Sequence, residues 1–489
     1  MAALQREGLV HSTAGTPPTR PGTLSPDSRR LQAGDLFLAY QGVTADGHAQ
    51  LAIAATLGAA FFVVEDPKKV PAGVTTPWVA VKSGRAAWSV LAAEAFGNPQ
   101  KKLTCLGVTG TNGKTSTVWM TGELLRAAGI PCLTIGTLGA YFGTDHVPTR
   151  HTTPDPDVLY ALLAEAVNRG INVMAMEVSS HAIAQQKVHP IRYTSAAFTS
   201  FSRDHLDFHP TMDHYFATKM RLFDELATPV TRRIFCDSLS RDLDLSRFGD
   251  SAVVYGPKAS EMAARWRAAD YLEMRIKQSG FLGTRLEFST TAGDFAGDVP
   301  YFARHALENF VAALLTTKVV TRGFVHADLW KTLRPVPGRL EQVVGKKGPQ
   351  VVVDYAHTPD ALEKTLEVLR PFCKGKLAVV FGCGGDRDKG KRPEMGKISE
   401  RLADRLYVTS DNPRTETPEA ILQDIVRGLD RPAEAVVEVD RARAIRLAIS
   451  QANADDMVLV AGKGHETYQV IGKETLPFDD REVARQCLT

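Results

Sequence analysis

The stretch Leu103-Thr104-Cys105-Leu106-Gly107-Val108-Thr109-Gly110-Thr111-Asn112-Gly113-Lys114-Thr115-Ser116 decides how the middle of this chain folds. Leu103 to Val108 is a short apolar run, as a strand buried on both faces requires. Gly110 to Thr115 is a glycine-bearing loop, and Ser116 to Ala128 carries a helical pattern stopped by Gly129. Strand, loop and helix in that order let backbone amides close around phosphate oxygens at a helix N-terminus. Gly110, Thr111, Asn112 and Gly113 would form the cradle. Lys114 would bring a point charge to the terminal phosphates, Thr115 a hydroxyl for magnesium, and Ser116 the first helical turn. The strict pattern G-x-x-x-x-G-K-S/T lacks its first glycine here, because Val108 stands in its place. The match is to a shortened G-x-x-G-K-T, and a glycine-rich turn that merely contains a lysine is the alternative.

Around this stretch lie 489 residues, more than one hydrophobic core organises, so a division into three domains is natural. With 44% hydrophobic and 23% charged residues, the balance is that of a folded cytosolic protein. The net charge of +3 is small and the basic residues are dispersed, so nucleic acid is not an implied partner. Six separated cysteines, with no C-x-x-C pair, argue against a disulfide framework or structural zinc and for a reducing compartment. Met1 to His11 lacks the apolar core of a secretory signal, and Leu51 to Val64 is too short for a membrane span, reading instead as a helix leading into a buried strand. The expected location is the cytoplasm, with no membrane span, and the expected state a monomer. The Pro-rich run Thr16 to Ser28 reads as a loop or arm.

Two boundaries follow from turn-forming residues. Gly97-Asn98-Pro99 closes a first domain, 1–99, and the interruption from Leu333 to Gly338 divides a central domain, 100–336, from a third, 337–489. In the third, strands are expected at Val351–Val353, Leu377–Phe381, Leu406–Val408 and Met457–Ala461, with a shorter one at Val436–Val439. Helices Pro359–Leu369, Pro418–Leu429 and Arg441–Ala452 would cross between them, giving a parallel, Rossmann-like sheet. Polar loops follow these strands: Asp354-Tyr355-Ala356-His357, Gly382 to Arg387, Asp411-Asn412-Pro413-Arg414, and Gly462-Lys463-Gly464-His465-Glu466. Ligands of open parallel sheets sit at the carboxyl ends of the strands, so these loops should share one cleft.

Two further signals lie in the central region. Glu177-Val178-Ser179-Ser180-His181 follows the apolar strand Ile171 to Met176, where a carboxylate near a phosphate loop can hold magnesium; a solvated loop glutamate fits the local sequence as well. Ser202-Arg203-Asp204-His205-Leu206-Asp207-Phe208-His209 gathers groups that could serve a cation, though their spacing sets no metal geometry. Lys219, taken alone, reads as part of a solvated helix face.

These motifs together resemble the Mur ligase family, in its diaminopimelate-adding branch. The resemblance runs from about Asp27 to Glu466 and rests on Gly110 to Thr115, Glu177 to His181, Pro337-Gly338-Arg339, Asp354 to Asp360 and Asp411 to Arg414, in that order. It implies an α/β fold of three domains: a UDP-binding N-terminal domain, a central P-loop ATPase domain and a C-terminal Rossmann-like domain that brings the amino acid. It also implies the activity: ATP, with Mg2+, activates the D-glutamate carboxylate of UDP-N-acetylmuramoyl-L-alanyl-D-glutamate as an acyl phosphate, which the amine of meso-2,6-diaminopimelate then attacks. Domain closure would hinge near Pro335 to Gly338.

By the same resemblance, Lys219 matches a lysine carbamylated in the family to N6-carboxylysine, and with Thr115, Glu177 and His205 it would serve magnesium. Asn309, Arg339 and Asp354 would hold adenine, ribose and phosphate. Ser28 and Val43, Thr44 and Ala45 would contact the uridine end, and Thr152, Thr153, Ser179, Gln185 and Lys187 the muramoyl-dipeptide. Lys187 stands where the family usually has Arg, so a point charge replaces a planar fork. Arg387, Asp411, Asn412, Pro413, Arg414, Gly462 and Glu466 would form the amino-acid pocket. Arg414 offers the fork that pairs with the second carboxylate of diaminopimelate, which lysine lacks. A helix-capping or solvent-facing Arg414 is the plainer alternative, and a lysine-adding ligase or a nucleotide-dependent regulator with a silent C-terminal domain are the competing functions.

Overall fold

The computed structural model describes residues 1–19, 22–42, 45–345 and 348–488. They fall into two compact units: Met1–Lys277 with Arg285–Asp298 and Arg304–Leu333, and Gln278–Thr284 with Val299–Ala303 and the chain from Arg334 onward. Three large sheets, each flanked by helices, give the α/β architecture, and a fourth of two strands, Tyr468–Ile471 and Glu474–Pro477, is appended in the second unit.

The first unit holds two sheets. The smaller has the order Val10–Ala14, Trp78–Val81, Phe61–Val64, Leu36–Ala39, Leu24–Ser25; all its pairings are parallel except that of Val10–Ala14 with Trp78–Val81. Phe61 to Val64 is buried throughout because both faces are covered, Phe61 and Val63 on one side and Phe62 and Val64 on the other. The expected helix and strand within Leu51–Val64 form as Leu51–Thr56 and Phe61–Val64. The Pro-rich run is not all loop: Leu24 and Ser25 pair along the edge of this sheet, and Asp27 caps a short turn at Ser28–Arg30.

The larger sheet places the deciding stretch at its centre. Strand Thr104–Thr109 lies between Tyr193–Phe198 and Val173–Glu177, parallel to both, and the parallel run extends outward through Leu133–Gly136 on one side and Ala227–Cys236 and Ala252–Gly256 on the other. Cys105, Leu106 and Val108 are wholly buried, which is why the sequence shows a continuous apolar run instead of an alternating one. The helix that follows is Lys114–Ala127, beginning two residues earlier than the sequence suggests. It packs on helix Arg304–Thr321 and ends where Gly129, at φ +75°, takes the left-handed conformation and donates to Arg126 O.

The second unit carries a sheet ordered Glu341–Val343, Gln350–Asp354, Met457–Ala461, Leu377–Phe381, Arg405–Thr409, Val436–Glu438, parallel except for its first strand. The register pairs Asp354 with Ala461, Val460 with Val380 and Phe381 with Val408, so four strands end level. The loops after them therefore leave from one edge. The crossover helices are Pro359–Leu369, Pro418–Val426 and Arg441–Ser450, the second and third shorter than the pattern suggests. A helix at Lys391–Leu402 was not legible, because Pro393 and Gly396 obscure its period; Gly396 is needed because a side chain there would run into Ile425 O.

Candidate active site

The phosphate-loop geometry follows from two glycines. Gly113, at φ +87°, turns the chain into helix Lys114–Ala127, and a side chain there would run into Asn309 Oδ1; one at Gly110 would run into Thr199 Oγ1. Thr199 and Ser200 brace the loop from the neighbouring strand end: Thr199 Oγ1 donates to Asn112 O at 2.5 Å, and Asn112 N donates to Ser200 Oγ at 2.8 Å. Thr111 N donates to Ser200 O at 2.8 Å, and its hydroxyl lies 3.3 Å from Tyr215 OH. Lys114 Nζ donates to Gly110 O and Thr111 O, both at 2.8 Å.

Two acidic or basic groups stand beside this loop in the interior. Glu177 is the last residue of its strand, paired in register with Val108, and only 1% exposed, which overturns the solvated-loop alternative. Thr137 N donates to its Oε1 at 2.7 Å. Glu177 and Thr115 line one small cavity with Thr134, Gly136, Trp119 and Tyr141. Lys219, on helix Met212–Asp224, is also buried, contrary to the solvated face its local sequence suggests. Its Nζ donates to Gly110 O at 2.8 Å and sits 4.4 Å over the Tyr215 ring. Burial, with Lys114 adding to it, holds the Lys219 amine well below the usual lysine range. His205, at φ +53° and partly exposed, lies on another side of Tyr215, with ring centroids 6.0 Å apart and its Nε2 3.4 Å from Asp204.

A hydroxyl network continues from Glu177. Thr153 Oγ1 donates to Glu177 O at 2.9 Å and to Ser179 Oγ at 3.3 Å, and Thr152 Oγ1 lies 3.1 Å from Thr137 Oγ1. Ser179 caps helix Ser180–Ala184 and Gln185 closes it. Lys187 Nζ pairs with Asp155 Oδ1 at 2.7 Å. Ser28, bonded to Gln50 at 3.4 Å, and Ala45 belong to the smaller sheet's surroundings and do not join this network; Val43 and Thr44 lie outside the described residues. Among the described residues, no three His, Cys, Asp or Glu side chains are grouped to hold a metal. Magnesium asks for less, since it takes one or two protein oxygens and fills its octahedron with phosphate and water. Thr115 and Glu177, both oxygen donors on one cavity, fit that demand, whereas the Lys219 amine fits it only once converted to a carbamate.

In the second unit, Asp411, Asn412, Pro413 and Arg414 follow strand Arg405–Thr409. Arg414 adopts φ +55°, and its Nη1 donates to Gly385 O at 2.7 Å, while Nε and Nη2 make no hydrogen bond among the described residues. Arg414 is thus half-buried, held by Nη1 at Gly385 O and open at its other two nitrogens. Arg387 lies across Gly384 from it. Asn412 Nδ2 donates to Glu466 Oε2 at 3.0 Å, and Gly462, at φ +113°, leaves no room for a side chain beside Asp411 Oδ2. Asp354 is used otherwise than as an open acid: its oxygens accept from Leu340 N at 2.7 Å and Ala356 N at 2.8 Å. Arg339 lies over the Tyr355 ring at 4.8 Å.

Family models match in the same order as these parts: "Mur ligase family, catalytic domain" over residues 23–96, "Mur ligase middle domain" over 108–317, and "Mur ligase, glutamate ligase domain" over 338–464. The chain belongs to the Mur ligase family. Curated relatives from Coxiella burnetii and Pseudomonas aeruginosa are each 40% identical, over 95% of this chain and 95% and 94% of theirs; both are named UDP-N-acetylmuramoyl-L-alanyl-D-glutamate--2,6-diaminopimelate ligase. A solved structure of a ligase of that name superposes with a TM-score of 0.66 at 29% identity, covering 95% of this chain and 94% of that one. MurF ligase from Thermotoga maritima shares the fold at a TM-score of 0.56 and 22% identity.

Sequence reasoning on this Mur ligase missed the residues that hold the named ones in place. Tyr215 touches Thr111, Lys219 and His205 at once, and Thr199 locks the phosphate loop. Arg441, buried with Asp480 in a two-bond ion pair, also donates to Ser410 O and Ala461 O, the carbonyls that precede Asp411 and Gly462. The Asp440 cap and the charged run after it gave no sign of this, because the partner is 39 residues away.

Proposed function

We propose that this Mur ligase forms an amide between meso-2,6-diaminopimelate and the D-glutamate of UDP-N-acetylmuramoyl-L-alanyl-D-glutamate, releasing ADP and phosphate, as a cytoplasmic step of peptidoglycan precursor synthesis. The reading divides the chain at 1–99, 100–336 and 337–489 into sugar-nucleotide, ATP and amino-acid domains. Full-length 40% identity to ligases of that name supports the reaction. The observation that carries the choice of amino acid is Arg414, whose guanidinium keeps two of its three nitrogens without a protein hydrogen bond, beside Arg387.

In the first step a glutamate carboxylate oxygen attacks the γ-phosphorus of ATP, breaking the bond to the β-γ bridging oxygen and leaving an acyl phosphate and ADP. In the second, the uncharged amine attacks the acyl carbon, phosphate leaves, and the amine's proton is lost to give the amide. The amides of Gly110 to Thr115 surround the phosphates, and Lys114 moves from the carbonyls of Gly110 and Thr111 to the transferring group. Asn309 occupies the space beside Gly113 that a side chain there would need. Thr115 and Glu177 would hold Mg2+, which when bound would offset the charge of the triphosphate. Burial lowers the Lys219 amine's hold on its proton, which favours the neutral form that adds CO2 and loses one proton to become a carbamate; that carbamate and His205 would be the donors for a second Mg2+. Thr152, Thr153, Ser179 and Lys187 meet the dipeptide, and Arg387, Asp411, Asn412, Arg414 and Glu466 meet the amino acid.

Incubating the enzyme with the UDP-muramoyl-dipeptide, ATP, Mg2+ and a panel of amino acids, with products read by mass, tests this. A tripeptide product with meso-diaminopimelate alone is expected. Equal use of lysine would sink the assignment to Arg414, and ATP turnover indifferent to the dipeptide would sink the ligase reading.

A further inference from the structure

The loop after strand Met457–Ala461 carries a cation that the pocket residues named above do not account for. Lys463 is 0% exposed. Its Nζ lies 3.1 Å from Asn412 Oδ1, 3.2 Å from Glu466 Oε2 and 3.5 Å from Asp411 Oδ1. These three acceptors come from two loops whose strands are separated in the sheet by Leu377–Phe381. One ammonium therefore ties the two loops together. Asn412 completes the ring by donating to Glu466 Oε2 and accepting from Val470 N at 2.9 Å.

The two acids are not used equally by the protein. Asn412 has both ends of its amide engaged, but the Asp411 carboxylate accepts no hydrogen bond among the described residues and touches only Lys463, and Glu466 Oε1 accepts none either. Two carboxylates gathered at one point repel, and Lys463 between them offsets that repulsion. A buried lysine without acids would be equally costly. Each group thus makes the other admissible, and what remains is a pair of carboxylate acceptors with unused lone pairs. Arg414 stands three residues from Asp411 in the same loop. An α-amino acid head needs this combination, because its ammonium and carboxylate sit on one carbon and call for an acceptor and a fork at a fixed separation.

We propose that Lys463 is a positioning residue for the amino-acid substrate. It keeps Asp411 and Glu466 aimed at the ammonium of the far amino-acid end of meso-diaminopimelate, whose carboxylate pairs with Arg414. The inference rests on reading this pocket as the diaminopimelate site. Lys463 itself meets no substrate atom; it acts through the acids it holds.

Steady-state kinetics of Lys463→Met, which keeps length and removes charge, tests this. The KM for meso-diaminopimelate should rise about 30-fold or more, the scale for truncating one partner of a buried charge pair, while the KM values for ATP and the UDP-dipeptide stay within about twofold. An unchanged KM for meso-diaminopimelate, or an equal rise in all three, overturns the proposal in favour of a purely structural lysine. Lys463→Gln, which keeps a donor for Asn412 and Glu466 but no charge, should show the same split; should Lys463→Met fail to fold, that variant decides. A wild-type enzyme that makes no product with meso-diaminopimelate refutes the pocket's assignment instead, a result visible before any variant is made.

Discussion

Lys219 Nζ and Lys114 Nζ each donate to the same carbonyl oxygen, that of Gly110, at 2.8 Å. Two lysine amines brought to one oxygen disfavour a second positive charge there, and the effect falls on the more buried of the two, Lys219. Its amine is held well below the usual lysine range by burial first and by Lys114 second. Lys219→Ala removes the group that would become the carbamate. Turnover should fall by about 100-fold or more, the scale set by losing a preorganised electrostatic contact. Acetate or another short carboxylate should restore part of it; normal activity in the variant would take the carbamate out of the mechanism.

Gly113 stands between left-handed backbone and the Asn309 side chain, so Gly113→Ala meets both strain and a clash. A loss of about 1–3 kcal/mol in stability is expected, read from urea unfolding, with a larger proportional loss of ATP consumption. A variant as stable and active as the parent would show that the loop tolerates another path.

Arg414→Lys exchanges a fork for a point charge. Loss of hydrogen bonds to a charged group predicts a rise of about 10- to 100-fold in KM for meso-diaminopimelate, with little change for ATP. If lysine becomes as good a substrate as meso-diaminopimelate in this variant, the second carboxylate is what Arg414 recognises. A KM unaffected by the exchange would count against it.

Asp237 provides a pH-dependent contribution to stability. Burial, opposed by the Lys258 N–H and reinforced by Glu308, pushes its carboxyl up from 3.8 to about 6. Between those values the folded chain keeps a proton that the unfolded chain has released, so stability falls as pH rises through that window and is level above it. Asp237→Asn keeps an acceptor for Lys258 N and removes the charge. It should gain about 1–3 kcal/mol at pH 7.5 and almost nothing at pH 4, as compared by urea unfolding; an equal gain at both values would contradict the shift.

The parts of the fold that the sequence made plain are those where burial is complete and local. Leu377–Phe381 and Met457–Ala461 form over the residues their apolar runs mark, and Pro359–Leu369 likewise, with Thr358 capping it. The phosphate loop was legible because its glycines, lysine and flanking elements are contiguous. Lys219, Glu177 and Lys463 could not be read locally. A lysine or glutamate has the same letter whether solvated or interred, and what inters these three is chain from elsewhere: Gly110 and Tyr215 for the first, Thr137 for the second, Asp411 and Asn412 for the third. The left-handed Arg414 was legible as chemistry but not as shape, since nothing adjacent announces a positive φ.

The buried pair of Arg441 and Asp480 bears on how the protein comes into being. Asp480 opens the helix Asp480–Cys487, and its carboxylate neutralises the one guanidinium that pins the roots of both amino-acid loops. Until the ribosome has released that helix, Arg441 is a lone charge beneath a half-built floor, although every residue of the phosphate loop has long been translated. A chain cut short before Asp480 would lack the acid that neutralises Arg441 beneath these two loops, so the order in which the chain is made is written into their foundations.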